Sequence, residues 1–252
     1  MWRVPSELSR RHVLAGVGSL GFLALGGAAV RPALGLDPVE LNQSTSVDGT
    51  DLALDWRATY NGAVLSETDF ADVGGEQPGP VVQLGDLTPG DEGTLTVRVS
   101  VTGPEDEQPK EPVAASVRLG LTETAENGVN EPEAAAGDTT DAVGELQDVI
   151  EATAWYDVGP ANVGTAGACN GRREPGEPIL AEGTLAAVAD ELATPVDLDP
   201  ASDAARPCLA PGDSVCLSLS WSLPPSSSNV VQTDSLSFVL EFGTEPCSEG
   251  ER

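Results

Sequence analysis

The chain has 252 residues with 41 acidic against 12 basic side chains, a formal charge of -29 at pH 7, and one histidine, His12. Nucleic acid is excluded as a direct partner, since neutralising phosphates takes a basic surface, and anionic lipid is disfavoured for the same reason. A lone imidazole in the leader leaves no His-dependent hydrolytic triad and no His-ligated zinc protease site.

The chain starts with a basic segment, Arg3 to Arg11, in which Glu7 is the only acid. A weakly apolar stretch follows from Val13 to Val30, diluted by Gly16, Gly18, Gly21, Gly26 and Gly27. Arg10-Arg11 with Leu14 fits a twin-arginine export signal. The alternative is an uncleaved anchor, which would need ~20 apolar residues to span a bilayer. Gly27 and Ala29 suit cleavage after Ala29, and Ala33 and Gly35 offer a second site. Residues 1–35 are accordingly assigned to signal and leader, and 36–252 to one domain. The expected location is extracellular or at the cell surface, with membrane contact only through the leader if it stays uncleaved.

Cleavage after Ala29 leaves nine bases against forty acids, and the only lysine is Lys110. Such acidity fits either a disordered chain or a fold adapted to brine. Hydrophobic residues make up 40% and alternate regularly, which favours the folded halophile. At ~1 M salt the screening length is about 3 Å, against about 10 Å at 0.1 M, so self-repulsion is largely quenched. Dilution of the salt is expected to unfold the protein.

Two-residue alternation marks half-buried strands. It runs through Leu52, Leu54 and Trp56; Leu95, Val97, Val99 and Val101; Ala115, Val117, Leu119 and Leu121; Val215, Leu217, Leu219 and Trp221; and Leu236, Phe238, Leu240 and Phe242. Val149 to Tyr156 is apolar on both faces and reads as a central strand. Thr184 to Leu192 alone reads as a helix, capped by Thr184, with Leu185, Val188, Ala189 and Leu192 on one face. An all-β antiparallel sandwich with one short helix follows. Leu87-Thr88-Pro89-Gly90-Asp91 and Leu209-Ala210-Pro211-Gly212-Asp213 each precede a strand and read as matching turns, with structural rather than catalytic aspartates.

Two loops break the rhythm, and loops this long are usually functional or mobile. Glu123 to Gly144 holds Glu126, Asn127, Asn130, Glu131, Glu133, Asp138 and Asp141; Asp157 to Pro178 holds Asn162, Asn170, Glu174 and Glu177. Carboxylates and amides around glycine suit Ca2+, which takes six to eight oxygen ligands. The candidate ligands are Glu126, Asn127, Asn130, Glu131 and Glu133 in the first loop and Asp157, Asn170, Glu174 and Glu177 in the second. Neither loop has the Asp-x-Asp-x-Asp-Gly spacing with a terminal Glu. The alternative is a solvated acidic loop in a chain acidic throughout.

Cys169, Cys208, Cys216 and Cys247 fall beyond the leader and read as disulfides, for which three pairings exist. Cys208 with Cys216 and Cys169 with Cys247 is the expected one. A four-thiolate zinc site lacks CxxC spacing. Paired carboxylates for a glycoside hydrolase cannot be picked out among so many acids. Trp56, Trp155 and Trp221 read as core, and no Gly-x-Ser-x-Gly elbow occurs.

Several segments, in this order, resemble the TasA and camelysin group of exported proteins in haloarchaeal form. They are the Arg-Arg leader, Gly49-Thr50-Asp51-Leu52-Ala53-Leu54-Asp55-Trp56, Tyr60-Asn61-Gly62, Leu84-Gly85-Asp86-Leu87-Thr88-Pro89-Gly90-Asp91, Gly144-Glu145-Leu146-Gln147, Trp155-Tyr156-Asp157, Gly176-Glu177-Pro178-Ile179 with Gly183-Thr184-Leu185, and Trp221-Ser222-Leu223-Pro224. The resemblance implies a jelly-roll-like sandwich, a SipW-type signal and assembly into matrix fibres by strand addition at an open sheet edge. The donor would lie within Leu34 to Thr50, and Pro32 and Pro38 are expected to interrupt pairing. Camelysin relatives are often labelled metalloproteases, but this chain has no His-Glu-x-x-His, so no enzyme is expected. A surface or matrix structural protein is the leading expectation, with self-association or other cell-surface proteins as partners. A calcium-dependent adhesion or ligand-binding module is the alternative, and a carboxylate-based hydrolase the third.

Overall fold

The structure, a computed structural model, describes residues 36–39, 51–67, 79–102, 112–139, 143–160, 168–198 and 208–247, with 36–39, 51, 66–67, 79–80 and 102 described by backbone only. The expected signal residues Arg10, Arg11 and Leu14, the cleavage region at Gly27 and Ala29, and Asp141 and Asn162 lie outside the described residues.

The strands in chain order are β1 (Leu36–Val39), β2 (Asp51–Tyr60), β3 (Ala63–Glu67), β4 (Gly79–Gly85), β5 (Glu92–Thr102), β6 (Val113–Ala125), β7 (Glu151–Tyr156), β8 (Ile179–Thr184), β9 (Val196–Asp197), β10 (Ser214–Ser222) and β11 (Ser235–Pro246). Three short helices join them: α1 (Glu131–Ala136), α2 (Leu146–Val149) and α3 (Leu185–Glu191). One sheet has the order β1-β4-β11-β6-β9 and the other β3-β2-β5-β10-β7-β8. Every neighbouring pair is antiparallel. This is the expected β-sandwich.

Alternation sets the register. Trp56, Val97, Leu217 and Tyr156 form one row across four strands, and Ala58, Leu95, Leu219 and Ala154 the next. From the other sheet, Phe238 faces Leu121, Leu240 faces Leu119 and Phe242 faces Val117. These rows merge into one hydrophobic core. Each fully buried Leu, Val or Phe contributes roughly 1.5–3 kcal/mol. One row ends at Tyr60, Gly93, Trp221 and Ala152. Gly93 leaves room for the Trp221 ring, which stacks on Tyr60 with centroids 6.0 Å apart.

The matching turns are equivalent in detail. Asp91 accepts from the Thr88 N–H at 2.7 Å and Asp213 from the Ala210 N–H at 2.8 Å. Gly90 and Gly212 adopt φ of 98° and 94°, a region glycine enters without strain. Asp91 also receives the Tyr60 hydroxyl at 2.6 Å, so it holds a turn and a neighbouring hairpin together.

Several expectations need correction. Glu123 to Gly144 is not one loop: β6 continues to Ala125, and α1 follows. Asn130 accepts the Glu133 N–H at 3.0 Å while Glu133 accepts the Asn130 N–H at 2.7 Å, a capping box, and Gly137 ends the helix at φ 105°. The expected single helix is present as α3, with the Ala187 N–H on the Thr184 hydroxyl at 3.2 Å. Val149 belongs to α2 rather than to the strand, and β7 lies one place in from the edge strand β8. Pro38 does not interrupt pairing: β1 aligns with β4 and sets Pro38 opposite Pro80. Two prolines can face each other where neither N–H is needed in the ladder.

The disulfides join Cys169 to Cys216 and Cys208 to Cys247, with Cα separations of 5.4 and 6.1 Å. The expected pairing fails because Cys208 and Cys216 serve different sheets. Leu209 bridges to Val113 at the start of β6, next to the Cys247 N–H on Pro112, whereas Cys216 lies in β10. Two disulfides indicate an oxidising compartment. No helix among the described residues is long and apolar enough to cross a membrane.

Candidate cation-binding loops

Both acidic loops bring carboxylates together, by different means. In the second loop Asp157, Glu174 and Glu177 each place an oxygen within 4.8 Å of the others. Asp157 follows β7 and is 0% exposed. It accepts from the Asn170 N–H at 3.2 Å, the Gly171 N–H at 2.7 Å and the Ser218 hydroxyl at 2.8 Å. Ser218 in turn contacts the Thr96 hydroxyl at 2.8 Å. The loop is thereby fastened over the outer face of the six-stranded sheet, beside the Cys169–Cys216 bridge. Glu177 accepts from the Gly159 N–H at 2.8 Å and the Glu174 N–H at 2.7 Å. Its carboxyl is held above the usual range by burial, with Asp157 and Glu174 adding to the rise and the two N–H donors opposing it.

In the first loop two triads share Glu126: Glu126, Glu145 and Asp234, and Glu126, Glu133 and Asp138. Glu133 is fully buried and accepts the Thr233 N–H at 2.7 Å and the Thr233 hydroxyl at 2.8 Å besides its capping-box bond. Burial works to raise its pKa, yet these donors outweigh it and hold the carboxyl below its ordinary value. Asp234 directly precedes β11 and is 1% exposed. Its Oδ2 accepts the Glu145 N–H at 2.6 Å. Burial, followed by the Glu126 carboxyl, pushes Asp234 up to about 7. The loop also packs tightly, since a Cβ on Gly144 would sit 2.7 Å from the Ala125 carbonyl oxygen and 3.0 Å from the Asp234 carboxyl carbon.

No protein-family model, curated protein or solved structure matches the chain.

Of the residues expected from sequence as ligands, Glu126, Glu133, Asp157, Glu174 and Glu177 fall in these clusters, and four do not. Asn127 donates to the Thr233 carbonyl at 2.8 Å and to the Ser235 hydroxyl at 2.9 Å, tying its loop to β11. Asn130 uses its side-chain oxygen as the cap of α1. Glu131 is exposed in the first helical turn. Asn170 donates to Glu174 at 2.7 Å and accepts the Arg172 N–H at 2.6 Å. Short amide side chains in these loops are thus occupied by turns and caps, the usual use of such residues. Asp138, Glu145 and Asp234 join the carboxylate clusters without being singled out as candidate ligands by the sequence. The capping box would have brought Asp138 to the end of α1, but nothing local in sequence couples Glu145 to Asp234.

A third feature is a groove of about 700 Å³ on the six-stranded sheet. Thr59, Thr94, Ser220, Thr153 and Glu182 form one row of it across five strands, with Glu92 and Glu151 nearby. Its only aromatic lining residue among those described, Trp221, is 4% exposed and belongs to the core. Trp56 and Trp155 are likewise buried.

Proposed function

We propose that this chain is an exported structural protein of a halophile's surface or extracellular matrix, assembling into fibres by strand addition. The observation that carries the assembly is the pairing of Leu36–Val39 along β4, at the edge of the five-stranded sheet. Only four residues hold that edge, and 40–50 connect them to β2. Such a connection can extend roughly 3.3–3.6 Å per residue, ample to reach an adjacent subunit. The same strand from a neighbour would restore identical backbone pairing, so exchange costs little.

The winding supports the jelly-roll part of this reading. From β4 onward, chain order distributes the strands as β4-β11-β6-β9 in one sheet and β5-β10-β7-β8 in the other, the alternation two Greek keys produce. The excess of forty acids over nine bases after leader removal keeps subunits apart in dilute buffer and lets them approach in brine. Replacing Asp37 and Val39 by proline removes ladder donors from β1 while leaving the rest of the fold intact. In sedimentation at ~1 M salt the exported protein should form large assemblies and this double variant should remain a folded monomer. A wild-type monomer at all concentrations, or a variant that assembles equally well, refutes the proposal.

A further inference from the structure

The two acidic clusters differ in how their oxygens are satisfied. In the second loop, both oxygens of Asp157 and both of Glu177 receive donors, and only Glu174 Oε2 is buried without a partner. In the first loop, Glu126 Oε1 accepts the Gly128 N–H at 3.0 Å, the Thr233 hydroxyl proton serving Glu133, and its buried Oε2 has no hydrogen-bond partner. Asp234, 1% exposed and a member of the same triad, has an Oδ1 that is also buried without a hydrogen-bond partner. Leaving a buried carboxylate oxygen unsatisfied is unfavourable, because the hydration it loses is not replaced. Two such atoms inside one carboxylate triad mark a place for positive charge.

We propose that Glu126, Glu145 and Asp234 bind one Ca2+ ion, with Glu133 and Asp138 flanking it, and that the ion clasps the loop between β6 and β7 to the start of β11. Ligand oxygens of this triad lie within 4.8 Å of one another, and Ca–O distances of about 2.3–2.6 Å place ligands of one shell within that separation. Three carboxylates call for a divalent ion over the monovalent ions of brine. Ca2+ suits the site better than Mg2+, which keeps several waters and demands strict octahedral geometry, because three carboxylates with one of them fully buried leave little room for a retained hydration shell. The clasp joins positions 89 residues apart, Glu145 and Asp234, which the Glu145 N–H already draws together. It is independent of whether the protein polymerises.

The test is a calorimetric titration of the full chain with CaCl2 after chelator treatment, at ~1 M KCl so that ionic strength is saturated. Wild type should take up one Ca2+ per chain and melt at a higher temperature, with MgCl2 binding at least about ten-fold more weakly. Asp234→Asn keeps an acceptor for the Glu145 N–H and should weaken Ca2+ binding by about ten-fold or more. Glu174→Gln, in the other cluster, should leave the affinity unchanged. No Ca2+ uptake by wild type overturns the proposal, as would an affinity insensitive to Asp234→Asn or lost in Glu174→Gln. Should Asp234→Asn fail to fold, Glu126→Gln is read by the same criterion, and the wild-type stoichiometry decides in either case.

Discussion

The Ser218 hydroxyl donates to Asp157 Oδ2 at 2.8 Å, joining the outer face of β10 to a loop 61 positions earlier in the chain. The same carboxylate collects the Asn170 and Gly171 N–H groups, so one buried acid organises the loop's backbone. Asp157→Ala strands all three donors and should cost roughly 3 kcal/mol or more, whereas Ser218→Ala should cost roughly 1 kcal/mol. Denaturant melts at fixed molar salt measure both, and two equally small losses would contradict this role.

Peptide mapping under non-reducing conditions should recover Cys169 linked to Cys216 and Cys208 linked to Cys247. Removing the first bridge by paired serine substitutions should cost about 2–4 kcal/mol. A fragment holding Cys208 linked to Cys216 would show that the two sheets are arranged differently.

Gly93→Ala places a Cβ 2.5 Å from the Trp221 ring and must displace it from Tyr60. A loss of about 1–3 kcal/mol is expected, with a changed near-ultraviolet circular dichroism signal. Gly120→Ala is the control, since its Cβ meets only Val239 at 3.8 Å and should be nearly neutral. Equal effects would argue against the Tyr60–Trp221 stack as a core element.

Without divalent ions, stability should rise as pH falls from 7. Asp234 is raised from 3.8 to about 7 and Glu177 is raised from 4.5 in the folded state. Their protonated forms are therefore favoured by folding, and the stability they contribute is lost as pH climbs through the folded-state values. Glu133 is lowered from 4.5, so its contribution is present above that pH and disappears below it. Stability should therefore climb from pH 7 down to about 4.5, where loss of the Glu133 contribution starts to offset the gain. Thermal melts in chelator at constant salt measure it, and stability falling steadily from pH 7 downward would contradict these assignments.

Strands are readable because burial of one face imposes a period of two, and all five alternating runs fall in strands whose apolar faces line the core. The Thr184 helix was readable for the same local reason. The α1 helix was also written locally, as Asn130 with Glu133 and Gly137, but its acidic composition disguised it as loop. Disulfide pairing was not readable, because it depends on which sheet each cysteine joins, a non-local fact. In the candidate site, composition pointed to Glu126 and Glu133, whereas Asp234 reaches them only through the register that brings the start of β11 beside the end of β6. Asparagines misled because their side chains serve equally as ligands and as caps.

Electron microscopy of the exported protein in its working salt, ~1 M or above, tests the central claim most directly. Regular filaments of stacked sandwich subunits, absent from the Asp37→Pro, Val39→Pro variant, are the predicted result. Dispersed single particles in both samples at every concentration would contradict a structural role built on strand addition.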